Sequence, residues 1–295
     1  MTEKEPKVSI ILPVGSEGDG WLESLDSLLK GGGQVSIEII LVDDGREKQI
    51  EESNIDHPVT LIRHTSRQGA ARSRNAGARV ARGDWLLFWS DFLLAPENAL
   101  VHWLSVAEKA RCDVAKIPFQ AASTASLTRF QRFLADQDRY SIAQSTAVDA
   151  RHLQFNAALI KRVAFNEVKG FDEKMQHYGG HELDLAIRLQ KAEKTNWIRL
   201  DEAPAIRVCS QSHAQIRKRL REYGRVGLQA LLNKHPEWDK KILVYPKTWS
   251  LISGIRLTWV FEWLLAGWIT MNFPLMPFGY RAYLHLLMRN AWASR

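Results

Sequence analysis

The sequence predicts an α/β fold built on a doubly wound, mostly parallel sheet, followed by a helical tail. Three observations carry this. Short runs rich in β-branched residues alternate with segments of helical period. Acidic or glycine-rich clusters stand directly after several of those runs, where open α/β sheets bind their ligands. The last stretch changes composition, which divides the chain into a domain over 1–240 and a hydrophobic, Trp-rich tail over 241–295.

The elements follow in order. Strand-like runs are Val8 to Leu12, Ser36 to Val42, Val59 to His64 and Trp85 to Trp89. Helical periodicity marks Trp21 to Leu29, Gly69 to Ala81, Ala95 to Ala110 and Leu183 to Ala192. Gln215 to His235 reads as a basic helix or helix pair, and Ala121 to Thr146 has no clean period and reads as an insertion or loop.

Composition narrows the class. A chain of 295 residues that is 45% hydrophobic and 25% charged is neither disordered nor collagenous. Two cysteines, Cys112 and Cys209, lack the paired spacing of a zinc site or a disulfide scaffold. With a polar start that resembles no secretory signal, they predict a cytoplasmic protein. Forty Lys and Arg against 33 Asp and Glu give a net charge of +7, which favours an anionic partner. Nucleic acid is not expected, because no aromatic-basic module or zinc knuckle accompanies the charge.

Residues 257–279 carry a single charge, Glu262, between Arg256 and Arg281, and five of the 11 Trp fall at Trp249, Trp259, Trp263, Trp268 and Trp292. Pro274 and Pro277 would break a straight helix there. A charge within such a segment is expensive in hydrocarbon, so the expectation is a tail lying in a membrane interface rather than crossing it. The alternative is that the same residues pack back as ordinary core.

The candidate chemistry lies after the strands. Gly15, Gly18 and Gly20 follow the first strand but in the order G-x-x-G-x-G, so the dinucleotide fingerprint fails. Asp43 and Asp44 end the second strand, where they would accept hydrogen bonds from a base or ribose, or form a turn and helix cap. Asp91 follows the run ending at Trp89 and would meet a metal or a sugar, or cap a helix. Gln68 to Gly77 interleaves small residues with Arg72, Arg74 and Asn75; arginine forks suit a diphosphate, and small residues equally suit helix-on-sheet packing. Glu182 and Asp184 stand where a loop enters a helix, as a general base or as acids complementing the helix dipole. Arg217, Lys218, Arg219, Arg221 and Arg225 form a basic run that would face phosphates or solvent.

As a set these motifs resemble the family 2 inverting glycosyltransferases of GT-A fold. The matching points are V-S-I-I-L-P at Val8 to Pro13, L-V-D-D-G at Leu41 to Gly45, G-x-A-x-x-R-N-x-G over Gly69 to Gly77, and G-D-W-L-L-F-W-S-D at Gly83 to Asp91. V-K-G-F-D-E at Val168 to Glu173 and G-G-H-E-L-D-L-A-I-R-L at Gly179 to Leu189 complete it. The resemblance covers roughly residues 6 to 235.

It implies a donor half near 1–118, an acceptor half near 119–240, and sugar transfer from a nucleotide diphosphate donor to a saccharide or lipid-linked acceptor, in bacterial surface polysaccharide synthesis. On this resemblance Pro13, Asp43, Asp44, Gly69, Arg72, Arg74, Asn75 and Asp91 contact the donor. Glu182 is the base, with Asp184 as the second catalytic candidate. Asp91 and His213 are candidate ligands for a divalent Mn or Mg. The chain departs from the family pattern at three places. Val14, Gly15 and Ser16 replace a polar or aromatic segment, the D-x-D reads Ser90, Asp91 and Phe92, and the E-D pair is His181 and Glu182. The rival these departures suggest is a non-catalytic relative that binds a nucleotide or a partner enzyme. The expected location is the inner face of the plasma membrane.

Overall fold

The computed structural model describes residues 5–15, 17–30, 33, 35–122, 127–135, 148, 150–175, 179–208, 212–239, 255–275 and 277–293. Most of the 121–146 stretch, and Ser16, Tyr178, Cys209 and Trp249, lie outside the described residues.

Four parallel strands form the first half of the main sheet: β1 (Val8–Val14), β2 (Ile37–Asp43), β3 (Thr60–Arg63) and β4 (Trp85–Trp89). The sheet continues through β8 (Ala157–Lys161), antiparallel to both β4 and β6 (Val114–Lys116), and ends at β9 (Trp197–Arg199). Its order is β3-β2-β1-β4-β8-β6-β9. Beside it, β5 (Leu93–Leu94), β10 (Ala205–Arg207) and β7 (Phe119–Ala121) make a second sheet in the order β5-β10-β7.

β1 shows why the sheet is covered on both sides. Ile10 and Leu12 belong to a core with α1 (Gly20–Lys30) and α3 (Ala99–Lys109), through Trp21, Leu25, Leu28 and Trp103. Ile11 points the other way, into a core with α2 (Ala70–Val80) and α6 (His181–Lys191) that also receives Phe165 from α5 (Arg162–Glu167). Alternation within an all-apolar run is what a strand buried on both faces requires. The small residues of α2 let it lie close: a Cβ at Gly77 would come 2.6 Å from Ile11 Cγ2.

The remaining helices form a third cluster. α7 (His213–Glu222) opens with a capping box, Ser212 Oγ accepting from Gln215 N at 3.2 Å while Gln215 Oε1 accepts from Ser212 N at 2.8 Å. It passes through a π-helical turn, Tyr223–Gly227, into α8 (Leu228–Lys234). Two tail helices follow, α9 (Ile255–Thr270) and α10 (Pro277–Ala293), separated where Pro274 and Pro277 stand. Ala266 and Ile269 of α9 and Tyr280, Tyr283 and Leu287 of α10 join Ile216 of α7 and Phe130 and Phe133 of α4 (Arg129–Ala135) in one apolar core. Glu262 is buried at this joint, accepting from Arg221 at 2.6 Å and from Asn290 at 2.8 Å. Among the described residues no helix is long and apolar enough to cross a membrane.

Candidate functional site

The carboxyl ends of β1, β2 and β4 and the N-terminal ends of α2 and α6 converge around one charged pair. Arg74, on α2, donates through Nη1 to Glu182 Oε1 at 3.0 Å and through Nη2 to Asn156 Oδ1 at 3.0 Å. Asn156 stands just before β8 and also accepts from Ser90 Oγ at 3.2 Å, past the end of β4. The Phe155 N–H donates to the same Glu182 oxygen at 3.0 Å. Oε1 is therefore pinned by two donors, while among the described residues no donor meets Oε2. The Glu182 side chain is 23% exposed and Arg74 only 3%. Burial pulls the Arg74 guanidinium below its ordinary value, and the Glu182 carboxylate opposes that shift.

Two glycines place Glu182. Gly179 and Gly180 have φ of 83° and 88°, and Gly180 precedes the first turn of α6. A Cβ on Gly179 would fall 2.5 Å from the Tyr223 ring, and one on Gly180 would fall 2.9 Å from Met175 Cε. The loop is wedged between the π-helical turn and the body of the domain, with a backbone that side-chain-bearing residues rarely adopt. His181 lies edge-on to Phe171, with centroids 5.9 Å apart, and burial holds its imidazole below the ordinary value, hence neutral near pH 7.

Several of the candidate residues turn into the fold instead of the cleft. Asp43 is 1% exposed, with its two oxygens accepting from Arg46 N at 3.1 Å and Ile50 N at 3.0 Å. Asp44, also buried, accepts from Gln68 N at 2.8 Å, Gly69 N at 3.0 Å and Ser73 Oγ at 2.9 Å, fastening the start of α2 to β2. Asn75 binds both backbone groups of Phe171 and Glu173 Oε1. Asp184 is fully enclosed between Arg188, Lys234 and His235, at 2.7, 2.7 and 2.9 Å. Although burial pushes its carboxyl up, the bonds from Lys234 and Arg188 outweigh that and hold it below the usual carboxylate range. A group so saturated cannot collect a substrate proton, so the catalytic reading of Asp184 gives way to a positioning one.

Pro13 lies within β1 before the glycine loop, Gly69 precedes α2, and Arg72 is tied to Gln68 at 2.6 Å. Three residues with no sequence signal complete the frame. Arg46 donates to the Glu17 and Gly18 carbonyls at 3.1 Å each, Arg67 donates to the Gly15 carbonyl, and Asn156 bridges Arg74 to Ser90. The glycine loop is thus held by two arginines.

The glycosyl transferase family 2 model matches residues 9–169, more than half of the sequence, and the chain belongs to that family. An uncharacterized glycosyltransferase of Haemophilus influenzae is 43% identical over 88 residues, 28% of this chain and 29% of that one. Glycosyltransferase GlyG of Streptococcus pneumoniae is 28% identical over 112 residues, 36% and 37% of the two chains. The match spans about a third of the length of these curated relatives. Among solved structures, the mannosyltransferase PcManGT from Pyrobaculum calidifontis, in complex with GDP-Man and Mn2+, superposes with a TM-score of 0.58 at 14% identity, covering 99% of this chain and 89% of that one. S. aureus TarS 1-349 in complex with UDP gives 0.54 at 14% identity, covering 98% and 90%. These likenesses establish the fold, which is GT-A.

The Mn2+ of one such neighbour raises the question of whether a divalent ion fits here. Asp91 supplies one carboxylate at the strand end. The residues beside it are Ser90 and Phe92, and two positions before it Trp89 is fully buried in the α1–α3 core, its Nε1 donating to Ser24 Oγ at 3.0 Å. With Trp89 two positions before Asp91 and Leu93 two positions after it, neither register of a D-x-D yields a second carboxylate. His213 is turned away from the sheet, with Nε2 2.7 Å from the Tyr283 hydroxyl and its ring edge-on to Phe130, so its assignment as a ligand is corrected to a tail contact. Among the described residues no group of three potential ligands gathers anywhere. A small divalent cation at a phosphate site is held through one or two carboxylates together with substrate phosphates and water, and Asp91 is the residue that would hold it here.

Proposed function

We propose that this chain transfers a sugar from a nucleotide diphosphate donor to a saccharide or lipid-linked acceptor with inversion, in bacterial surface polysaccharide synthesis. The observation that carries the reading is Glu182. It has one oxygen held by Arg74 and the Phe155 N–H, the other unoccupied among the described residues, and it stands beside the strand ends where a family 2 enzyme holds its donor. In the reaction the acceptor oxygen attacks the anomeric carbon. Its proton passes to Glu182, and the bond from that carbon to the diphosphate breaks with its electron pair leaving on the phosphate oxygen. Arg74 and Asn156 hold the base in orientation, and the Gly15–Gly20 loop with the start of α2 closes around the nucleotide. UDP, UDP-GlcNAc and GDP-Man are the nucleotides named in complex with the structural neighbours, which makes uridine and guanosine diphosphate sugars the first to try.

The reading puts the chain at the inner membrane face, where a lipid-linked acceptor would lie. α9 turns Val260, Trp263, Leu264 and Trp268 to solvent, with Met271 just past its end, an apolar stripe that suits an interface. Incubation with UDP-, GDP- and dTDP-sugars, reading nucleoside diphosphate release and the anomeric configuration of the product, tests the whole reading. Absence of both nucleotide binding and turnover with every donor would sink it.

A further inference from the structure

The basic run of α7 takes no part in the transfer chemistry, yet it lines a cavity. Arg217, Lys218 and Arg221, with Arg225 and Val226 of the π-helical turn, border a space of about 560 Å³ together with Ala214 and Glu222. Resting on the lipid-linked acceptor reading above, we infer that this groove seats the acceptor lipid through a phosphate group carrying two negative charges.

Glu262 of α9, 2% exposed, organises the groove. Its Oε1 accepts from Arg221 Nη2 at 2.6 Å, its Oε2 accepts from Asn290 at 2.8 Å, and Arg217 Nη2 stands 3.8 Å from Oε1. At that distance Arg217 makes no hydrogen bond to the carboxylate, and its Nε is enclosed without a partner among the described residues. Lys218 is exposed and pairs with no carboxylate among the described residues. Three cations thus share one carboxylate, an excess of two positive charges. Arg225 and Glu222 are opposite in sign and leave that balance unchanged. Like charges three and four residues apart on one helix face repel, and an anion between them relieves the repulsion. An arginine fork takes the oxygens of one phosphate. A phosphomonoester or a diphosphate ester brings about two charges, where a phosphodiester headgroup brings one.

The surroundings of Glu262 favour a lipid over a free phosphate. Trp259, Val260, Trp263 and Leu264 on the same helix are exposed, and Glu262 is the one charged residue between 257 and 279. A headgroup held by α7 would therefore have uncharged, apolar helix surface for its hydrocarbon. The groove also shares a segment with the base loop. It runs into the turn Tyr223–Gly227, and a Cβ built on Gly179 falls 2.5 Å from the Tyr223 ring while one on Gly180 falls 3.1 Å from the Gly227 carbonyl oxygen. The face that would hold the acceptor phosphate and the loop that presents Glu182 are braced by the same turn.

Sedimentation of the full chain with phosphatidylcholine vesicles at mildly alkaline pH tests the inference. One set contains phosphatidic acid, and the other contains phosphatidylglycerol at twice the mole fraction, so that surface charge is matched. Binding to the phosphatidic acid vesicles is expected to be about tenfold tighter. Arg217→Gln combined with Lys218→Gln should bring it down to the phosphatidylglycerol value. Arg219→Gln, an equal loss of charge outside the groove, should keep the preference. Lys218→Gln alone, at an exposed position, should lose about threefold and serves if the double variant melts early. Equal binding to the two vesicle sets overturns the seat and leaves the interfacial tail standing, whereas absence of binding to both removes the two together. A preference that survives in the double variant, or that Arg219→Gln erases, places it elsewhere on the chain and overturns the groove. Calorimetry with inorganic diphosphate and with UDP and GDP closes the test, with nucleotide affinity expected to be equal in wild type and double variant. Inorganic diphosphate binding as tightly as the vesicles, or nucleotide affinity falling in the double variant, would give the groove to a soluble phosphate and overturn the lipid assignment.

Discussion

Arg74 and Glu182, 108 residues apart in sequence, meet at 3.0 Å with the arginine buried and the glutamate partly open. The pair ties the start of α2 to the first turn of α6. A buried cation requires a partner, and the partner here is the residue that the family pattern makes the base. Charge balance and base placement are therefore one interaction.

Glu182→Gln keeps the volume and the acceptor for Arg74 but loses the basic lone pair. Turnover is expected to fall by a factor on the order of 100 to 10,000 while nucleoside diphosphate affinity holds. Because Arg74 acts through Glu182, Arg74→Lys should slow the wild type but add little in the Glu182→Gln background. Steady-state kinetics of the four proteins of that cycle, with calorimetry for nucleotide binding, provide the check. Full additivity would show that Arg74 acts on something other than the base.

Much of this was legible in the sequence, and the part that was not has a physical cause. β1, β2 and β4 and the helices between them are single apolar or amphipathic runs, and local period is enough to find them. Asn156 and Phe155 precede a short strand, β8, whose partners β4 and β6 are distant in sequence, so nothing local marks them. The acidic residues show the other limit. Asp43, Asp44 and Asp184 carry the family pattern as clearly as Glu182 does, yet their oxygens are taken by backbone N–H groups and by the side chains of Arg188 and Lys234. A motif states which residue types recur; it does not state which way a carboxylate points. His213 failed in the same way, because its partner Tyr283 comes from the tail, 70 residues away.

Asp184 should govern acid stability. Its folded carboxyl lies below the ordinary value, so it binds its proton more weakly folded than unfolded. The stability it contributes is fully present above the unfolded value of about 3.9 and is lost as pH falls through the lower folded value. Asp184→Asn leaves Lys234 and Arg188 facing a neutral group and should cost about 3 to 5 kcal/mol at neutral pH. Urea melts from pH 7 downward should show the wild type converging on the variant in acid; parallel curves would contradict the assignment.

Gly224 is the point where the tail meets the domain. A Cβ there would lie 2.2 Å from the Met288 carbonyl oxygen, which is backbone and cannot swing aside. Gly224→Ala must therefore push α10 off the π-helical turn, and the expected loss is about 1 to 3 kcal/mol. Because Tyr223 in the same turn presses on Gly179 of the base loop, turnover should fall more than nucleotide affinity does. A thermal melt paired with kinetics checks this, and an unchanged melting temperature would mean that α10 is not seated as described.

The solvent face of α9 carries the last prediction. Trp263 of α9 is 73% exposed, Val260 and Leu264 52% each, and Met271 just past its end 62%, although the helix buries Glu262, Ala266 and Ile269 against its neighbours. Large apolar residues left in water along one face of an otherwise packed helix suit an interface rather than a span. On the side of α9 where Glu262 is buried, Arg217 and Arg221 reach it from α7, and with Lys218 and Arg225 they line a basic groove that would add attraction to anionic headgroups. Full-length protein should co-sediment with phosphatidylcholine vesicles containing phosphatidylglycerol, less so without the anionic lipid and less so at high salt. Trp263→Ser removes a ring whose burial is worth about 2 kcal/mol and should lower partitioning roughly thirtyfold. Its melting temperature should not move, because the side chain touches little in the folded chain. Protein that stays in the supernatant with every vesicle would show that this face meets another partner.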